Sequence, residues 1–496
     1  MVEDRSLAGH LRFLLKDTAV YGLAGAVAKL LAIFTVPILT RLFSTSEYGL
    51  IDAITIVGTV FIPAVILGQD SSIGRFYYDT DDRRERREIV STGLSVQMAF
   101  SALVAAAQFI LAAPILDAYL RSTAEVDCMR LMALALPATV LVRNTQNLLK
   151  WTFRRRRYLV LTLGITVVNV AATLFLVLVA RLGVTGVFYA NLFAQAAFAG
   201  TGMWFCRDLI AARFNWRPWL KPMVLFGLPY TLVGIADAVF PSVDRFFIAR
   251  YLTLDSLGIY SVGMKVASLL MLVVTGFQTA WGPFAYATYR QPGANQTFAR
   301  ILLLFTYVGC LGVVGLVALG KPLILLMASE KYADSYPLVG PLAFSAILGG
   351  IYYIVCIGMG LSKKTIYNAV AYMSGVAVFA GLANILVPIL GLQGAALGLL
   401  SGKAISIMVV TVVAGKLYPI PYDFRRFLAI LALAGLSVLF LTTQVDDIGI
   451  MDWFLRAAVL LGYGMASLCL VMQQSERTAV YKQLQRMRRR HPAAAA

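Results

Sequence analysis

The chain has 496 residues, 59% of them apolar and 14% charged, with a mean hydropathy of +0.77. That balance excludes a water-soluble globular domain and requires lipid as the solvent. The formal charge of +18 is spread through short segments between apolar runs, so no nucleic-acid partner is expected.

Fourteen apolar stretches follow one another, at about 18–40, 47–69, 88–113, 130–149, 158–180, 184–206, 222–247, 256–281, 301–327, 336–361, 365–390, 392–416, 427–443 and 454–473. Each is long enough to cross a hydrocarbon core of about 30 Å as a helix, and too long for a barrel strand. The expected fold is an all-α integral membrane protein of about 14 transmembrane helices. With the amino terminus in the cytoplasm, inner segments hold 30 of the 43 Lys and Arg residues and outer segments nine. This asymmetry places both termini in the cytoplasm. Basic runs such as Arg83, Arg84, Arg86 and Arg87, or Arg154 to Arg157, then read as topology anchors facing anionic membrane lipids.

The first stretch has the length of a spanning helix and no signal-peptide cleavage pattern, so it is expected to be retained. Five scattered cysteines without a C-x-x-C pair, and two histidines near the ends, His10 and His491, argue against disulfides, metal or another cofactor. Asp79-Thr80-Asp81 has the form of a metal-binding carboxylate pair, but it lies in a short mixed-charge loop with no domain around it.

The chain repeats itself. Arg41-Leu-Phe-Ser-Thr-Ser-Glu-Tyr-Gly49 returns 209 residues later as Arg250-Tyr-Leu-Thr-Leu-Asp-Ser-Leu-Gly258. Each copy reads as an outer turn with a hydroxyl residue and a turn glycine. Gly183-Val-Thr-Gly186 returns as Gly391-Leu-Gln-Gly394, and the basic stretch from Arg154 to Tyr158 returns from Lys363 to Tyr367. Duplication of a six-helix unit follows, giving a lobe over 1–210, a second over 211–420, two additional helices over 421–475 and a basic cytoplasmic tail over 476–496. Six crossings per unit leave the copies parallel, as two pseudo-symmetric bundles about an axis along the membrane normal, with a cavity expected on that axis.

Ionisable groups at membrane depth cost about 2.5 to 3.5 kcal/mol each and normally face a wet cavity or a partner. Near mid-depth lie Lys29, Asp237, Lys265 and Lys403, with Arg143 deeper toward the inner side and Asp52, Asp244 and Arg245 toward the outer side. The expected substrate-binding set in the central cavity is Lys29, Arg143, Lys265 and Lys403 with Asn144, Asn147 and Gln278. Asp237 and Asp52 are the expected coupling or charge-pair groups, and Lys29 and Asp237, 208 residues apart, are predicted to face each other across the axis. Snorkelling or helix-to-helix packing is the alternative for each, as it is for Asn169, Asn191, Gln195 and Asn384. A modestly cationic interior suits an anion such as phosphate or pyrophosphate.

Ile38-Leu-Thr-Arg41, Glu47-Tyr-Gly49 and the stretch from Leu67-Gly68 to Arg75-Phe-Tyr77 resemble the amino-terminal pattern of bacterial Wzx-type polysaccharide repeat-unit flippases, including those for O-antigen. These form the polysaccharide transporter branch of the multidrug, oligosaccharidyl-lipid and polysaccharide exporter superfamily, and the six-plus-six-plus-two layout is similar over the whole chain. The resemblance implies a transporter in the bacterial inner membrane, not an enzyme. Its substrate would be a polyprenyl-pyrophosphate-linked oligosaccharide, carried from the cytoplasmic to the outer leaflet by alternating access for O-antigen, capsule or exopolysaccharide biosynthesis. It also implies proton or sodium coupling as an option, and a polymerase and chain-length regulator as partners. A lipid II flippase falls in the same class. A multidrug or organic-cation antiporter of the superfamily is the alternative, although it would want an acidic cavity. A membrane polysaccharide polymerase or ligase would need a sizeable outer loop that the sequence lacks.

Overall fold

The computed structural model describes residues 24–472 apart from 26, 29, 32–33, 122–124, 212–213, 363–365 and 445–448. All regular elements among these are helical, as backbone in hydrocarbon requires, because a helix satisfies its own N–H and C=O groups. The first half contains α1 (Val36–Leu42), α2 (Thr45–Val60), α3 (Ile62–Ile66), α4 (Gln69–Asp79), α5 (Arg83–Ile110), α6 (Ala112–Leu120), α7 (Val126–Trp151), α8 (Arg155–Leu174) and α9 (Gly183–Cys206). The second contains α10 (Arg217–Tyr251), α11 (Leu254–Ala267), α12 (Leu270–Thr288), α13 (Ala294–Ala318), α14 (Gly320–Met327), α15 (Tyr336–Val355), α16 (Ile357–Leu361), α17 (Ile366–Leu390) and α18 (Leu392–Leu417). Two further helices follow, α19 (Phe424–Gln444) and α20 (Ile450–Val471).

Among the described residues, nine helical stretches are long and apolar enough to cross a membrane, or ten if the bent pair α11–α12 is one span. Helices α7, α9 and α10 coincide with three more of the expected spans, while polar residues such as Arg143, Asn191 and Arg245 interrupt their apolar character. Of the first expected span, 18–23, 26, 29 and 32–33 lie outside the described residues, and its end forms α1.

The duplication is visible in local geometry. Ser44 caps α2, accepting from the Glu47 N–H at 3.2 Å while its own N–H donates to the Glu47 carboxylate at 2.8 Å. Thr253 caps α11 by accepting from the Ser256 N–H at 3.2 Å. The hydroxyl three residues after each repeated Arg is therefore an N-cap, which satisfies an otherwise orphaned donor. Gly183, the first residue of α9, and Gly391, just ahead of α18, both adopt φ of +59°, a conformation that a side chain disfavours. The Lys363 end of the basic repeat falls outside the described residues.

One reading needs correction. Gly49 and Gly258 are not turn residues but lie in the second turn of α2 and α11, where the two helices cross. A Cβ on Gly49 would stand 2.2 Å from the Leu254 carbonyl oxygen, and one on Gly258 would stand 2.0 Å from that of Thr45. Each glycine thus admits the other half's backbone, the close approach that small residues permit in membranes.

The second span of each half is broken at the corresponding place. Helix α2 ends at Val60 ahead of Pro63, and α11 bends by 50° into α12. A second break in the first half, at Leu67 and Gly68 with φ of 52° and 61°, brings Gly68 against the Gly227 carbonyl of α10. The halves touch again here, since Ser72 donates to the Met223 carbonyl at 2.7 Å. Helices α19 and α20 pack on α13, and buried Arg456 of α20 donates to the Ala318 carbonyl at 3.2 Å. Their outer faces carry exposed Leu436, Leu439, Phe454 and Met465, a surface suited to lipid.

Candidate functional site

Three cavities open among these helices, and four of the ionisable groups predicted at membrane depth, Asp52, Arg143, Lys265 and Lys403, are divided among them. The first, of about 490 Å³, is enclosed by α1, α2, α8 and α9 and is reached by Lys265 from α11. Asp52, Thr166, Asn169 and Gln195 share its wall. The side-chain oxygens of Asn169 and Gln195 are buried and accept no hydrogen bond among the described residues. An unpaired acceptor in a polar cavity invites a donor, from water or from a ligand.

Asp52 also belongs to a buried ionic network at the crossing of α2 and α11. It accepts from the Ser261 hydroxyl at 2.6 Å and from Arg245 Nε at 3.3 Å. Arg245 also pairs at 2.8 Å with Asp244, which accepts from the Tyr260 hydroxyl at 2.7 Å. Ser261 is the repeat counterpart of Asp52, 209 residues on, so duplicated positions meet at the crossing itself.

The second cavity, of about 300 Å³, lies within the second half and is lined by Gln278 of α12, Tyr352 of α15, Asn368 and Tyr372 of α17, and Lys403 of α18. The Lys403 ammonium donates to the Tyr372 hydroxyl at 3.1 Å and sits 3.8 Å from the centre of the Phe240 ring. A ring face stabilises a cation by its quadrupole, more strongly when both are desolvated. Lys403 is the counterpart of Gln195, 208 residues on. The same helix position thus lines a cavity in each half, neutral in one and cationic in the other.

The third, of about 340 Å³, separates the halves and is lined by Thr59, Pro63, Gly68, Asp70 and Arg143 from the first half and Gly234 and Ala238 from α10. Lys265, Lys403 and Arg143 therefore occupy distinct cavities. Asn144 lines none of the three: it is buried and donates to Gln97, joining α7 to α5. Asn147 is half-buried and lines none of them either. Lys29 lies outside the described residues, as does the side chain of Asp237, whose backbone belongs to α10. The carboxylates of Asp79 and Asp81 are paired with Arg75 at 3.4 Å and Arg86 at 2.9 Å. Phe240, Tyr260, Ser261 and Tyr372 were not singled out in the sequence. Only Ser261 carried a signal, the repeat offset from Asp52.

Two helical halves with broken spans and polar cavities among them define a polytopic α-helical membrane protein, an architecture that transporters use. Residues 38–337 match the family described as polysaccharide biosynthesis protein, and the chain belongs to that family. Among curated proteins no sequence match is found. A solved structure of the lipid II flippase MurJ in an inward closed conformation is similar over 94% of this chain and 99% of its own, at a TM-score of 0.72 and 12% identity. An inward-facing multidrug resistance MATE family transporter of the MOP superfamily covers 80% of this chain and 94% of its own, at 0.64 and 15%. A MOP superfamily transporter from Pyrococcus furiosus, described as having a binding pocket of reverse polarity, covers 81% and 95%, at 0.56 and 14%. At these identities the likeness concerns the fold.

Proposed function

We propose that the protein carries a polyprenyl-pyrophosphate-linked oligosaccharide from the cytoplasmic to the outer leaflet by alternating access, in the bacterial inner membrane, during polysaccharide biosynthesis. The observation that carries this reading is the first cavity, where the Lys265 cation shares a wall with the unpaired amide oxygens of Asn169 and Gln195. A sugar offers hydroxyl donors to such acceptors, and a diphosphate offers charge to a cation. Membership of the polysaccharide biosynthesis family supports the substrate class. Arg143, between the halves, stands where an anionic headgroup would pass. With the cytoplasm negative, outward movement of an anion is favoured by about 2.3 kcal/mol per charge per 100 mV. The proposed Lys29–Asp237 pair would add proton or sodium coupling.

The test is flipping of a fluorescent polyprenyl-diphosphate glycolipid in proteoliposomes. Lys265→Gln is expected to lower the rate at least about tenfold, the worth of one charge-assisted contact, with the thermal midpoint unchanged; a wild-type rate would reject the cavity as the path. Comparing a pH gradient, a sodium gradient and potential alone in wild type and Asp237→Asn separates the driving forces. The multidrug antiporter reading, favoured by the likeness to MATE folds, predicts instead that an organic cation competes with transport.

A further inference from the structure

Two adjoining cavities at the end of the first half assigned to the cytoplasm are walled by arginine. One, of about 630 Å³, is lined by Phe153, the arginine run 154–157 and Asp208. The other, of about 410 Å³, adds Arg83, Arg86 and Arg87 from the start of α5 and shares Arg154 and Asp208 with the first. They form one basin in which seven guanidinium groups surround a single lining carboxylate.

A topology anchor needs only charge near the membrane surface. Here three of the seven arginines are held in place. Arg154 donates to Asp208 at 2.7 Å and to the Phe205 carbonyl at 3.1 Å, and Arg157 donates to the same carbonyl at 2.7 Å. Arg86 donates to the carbonyls of Tyr77 and Thr80 at 3.1 and 2.8 Å and lies 5.0 Å from the centre of the Tyr77 ring. Arg83, Arg87 and Arg156 make no ion pair among the described residues. Helix α8 also starts here, so the positive end of its dipole adds to the field. Exposed Trp151 and Trp204 lie on the neighbouring segments, the residue type that seats at the headgroup level of a bilayer.

We infer that this basin binds a phosphate-bearing anion, with the headgroup of an inner-leaflet phospholipid as its source. Guanidinium forks match phosphate oxygens in pairs, and Arg83, Arg87 and Arg156 stand beside the held arginines of this basin. The basin belongs to the first half alone and does not depend on which substrate crosses between the halves.

The full-length chain in detergent tests this by native mass spectrometry of retained phosphatidylglycerol against phosphatidylcholine, and by calorimetry with inorganic pyrophosphate. The variant R83Q/R87Q/R156Q is compared with R290Q/K416Q/R425Q, which removes equal charge from inner segments of the second half. Phosphatidylglycerol retention is expected to fall at least about tenfold in the first variant and to hold within twofold in the second. Pyrophosphate binding lost only in the first variant, without lipid selectivity, would keep the phosphate site and assign it to a soluble anion. Equal effects of the two variants, or no binding by the wild type, would reduce the basin to diffuse surface charge and overturn the inference. If the triple variant melts early, R87Q/R156Q reads the same ratio.

Discussion

Single residues decide how closely the halves approach. Gly49 and Gly258 each face the other helix's backbone at distances no Cβ tolerates, so Gly258→Ala must separate α2 from α11. Overpacking of this kind costs about 1 to 3 kcal/mol and is expected to lower the thermal midpoint in detergent. Gly435→Ala, with open space around it, should leave the midpoint unchanged, and equal midpoints for the two variants would refute the crossing. Arg245 is a second such residue, because it neutralises Asp52 and Asp244 in a buried setting. Removing one partner of a buried ion network leaves uncompensated charge and costs roughly 3 to 5 kcal/mol. Arg245→Ala should therefore fold in much lower yield than Ser261→Ala, which loses one hydrogen bond; similar yields would argue against the network.

At the scale of elements, the breaks matter more than the helices. The paired interruptions after α2 and α11 place Thr59 and Lys265 near irregular backbone, which membrane depth tolerates where protein or a wet cavity lies beside it. The apolar spans and the offset that pairs Ser44 with Thr253 and Gly183 with Gly391 were legible from run length and spacing, because each is a property of the chain read along its length. Of the breaks, the one at Pro63 was legible because proline interrupts a span, whereas the one at Leu67 and Gly68 was not, since Gly68 shows its role only against Gly227 of α10. Where α8 begins and α9 ends, the Arg154 guanidinium holds the Asp208 carboxyl below its usual range. A carboxylate depressed in this way stabilises the fold above its unfolded pKa, and the contribution disappears as pH falls through the folded value. Wild type should melt above Asp208→Asn at pH 7, with the gap closing below about pH 4; a gap independent of pH would exclude the pair as its source.

In the whole molecule the halves meet at the α2–α11 crossing, along α10, which packs on α2 to α6, and where α1 meets α14. The Thr45 hydroxyl donates to Asp255 across the first of these contacts. If transport proceeds by alternating access, that contact must open in each cycle. A disulfide between Cys residues replacing Thr45 and Asp255 should abolish flipping, with recovery on reduction, whereas undiminished flipping in the oxidised protein would show that this end stays closed throughout.

The sequence by itself determined the helical class, the succession of apolar runs and the offset that relates Arg41–Gly49 to Arg250–Gly258. Each of these follows from composition, run length or a fixed offset, which are properties of the chain read locally. Tertiary structure alone decided where the charges meet. It divided Arg143, Lys265 and Lys403 among three cavities, committed Asn144 to Gln97, and turned the repeated glycines into a helix crossing. The physical reason is that hydropathy gives the depth of a residue but not its azimuth on the helix. Azimuth is set by packing between segments some two hundred residues apart, which no local pattern encodes.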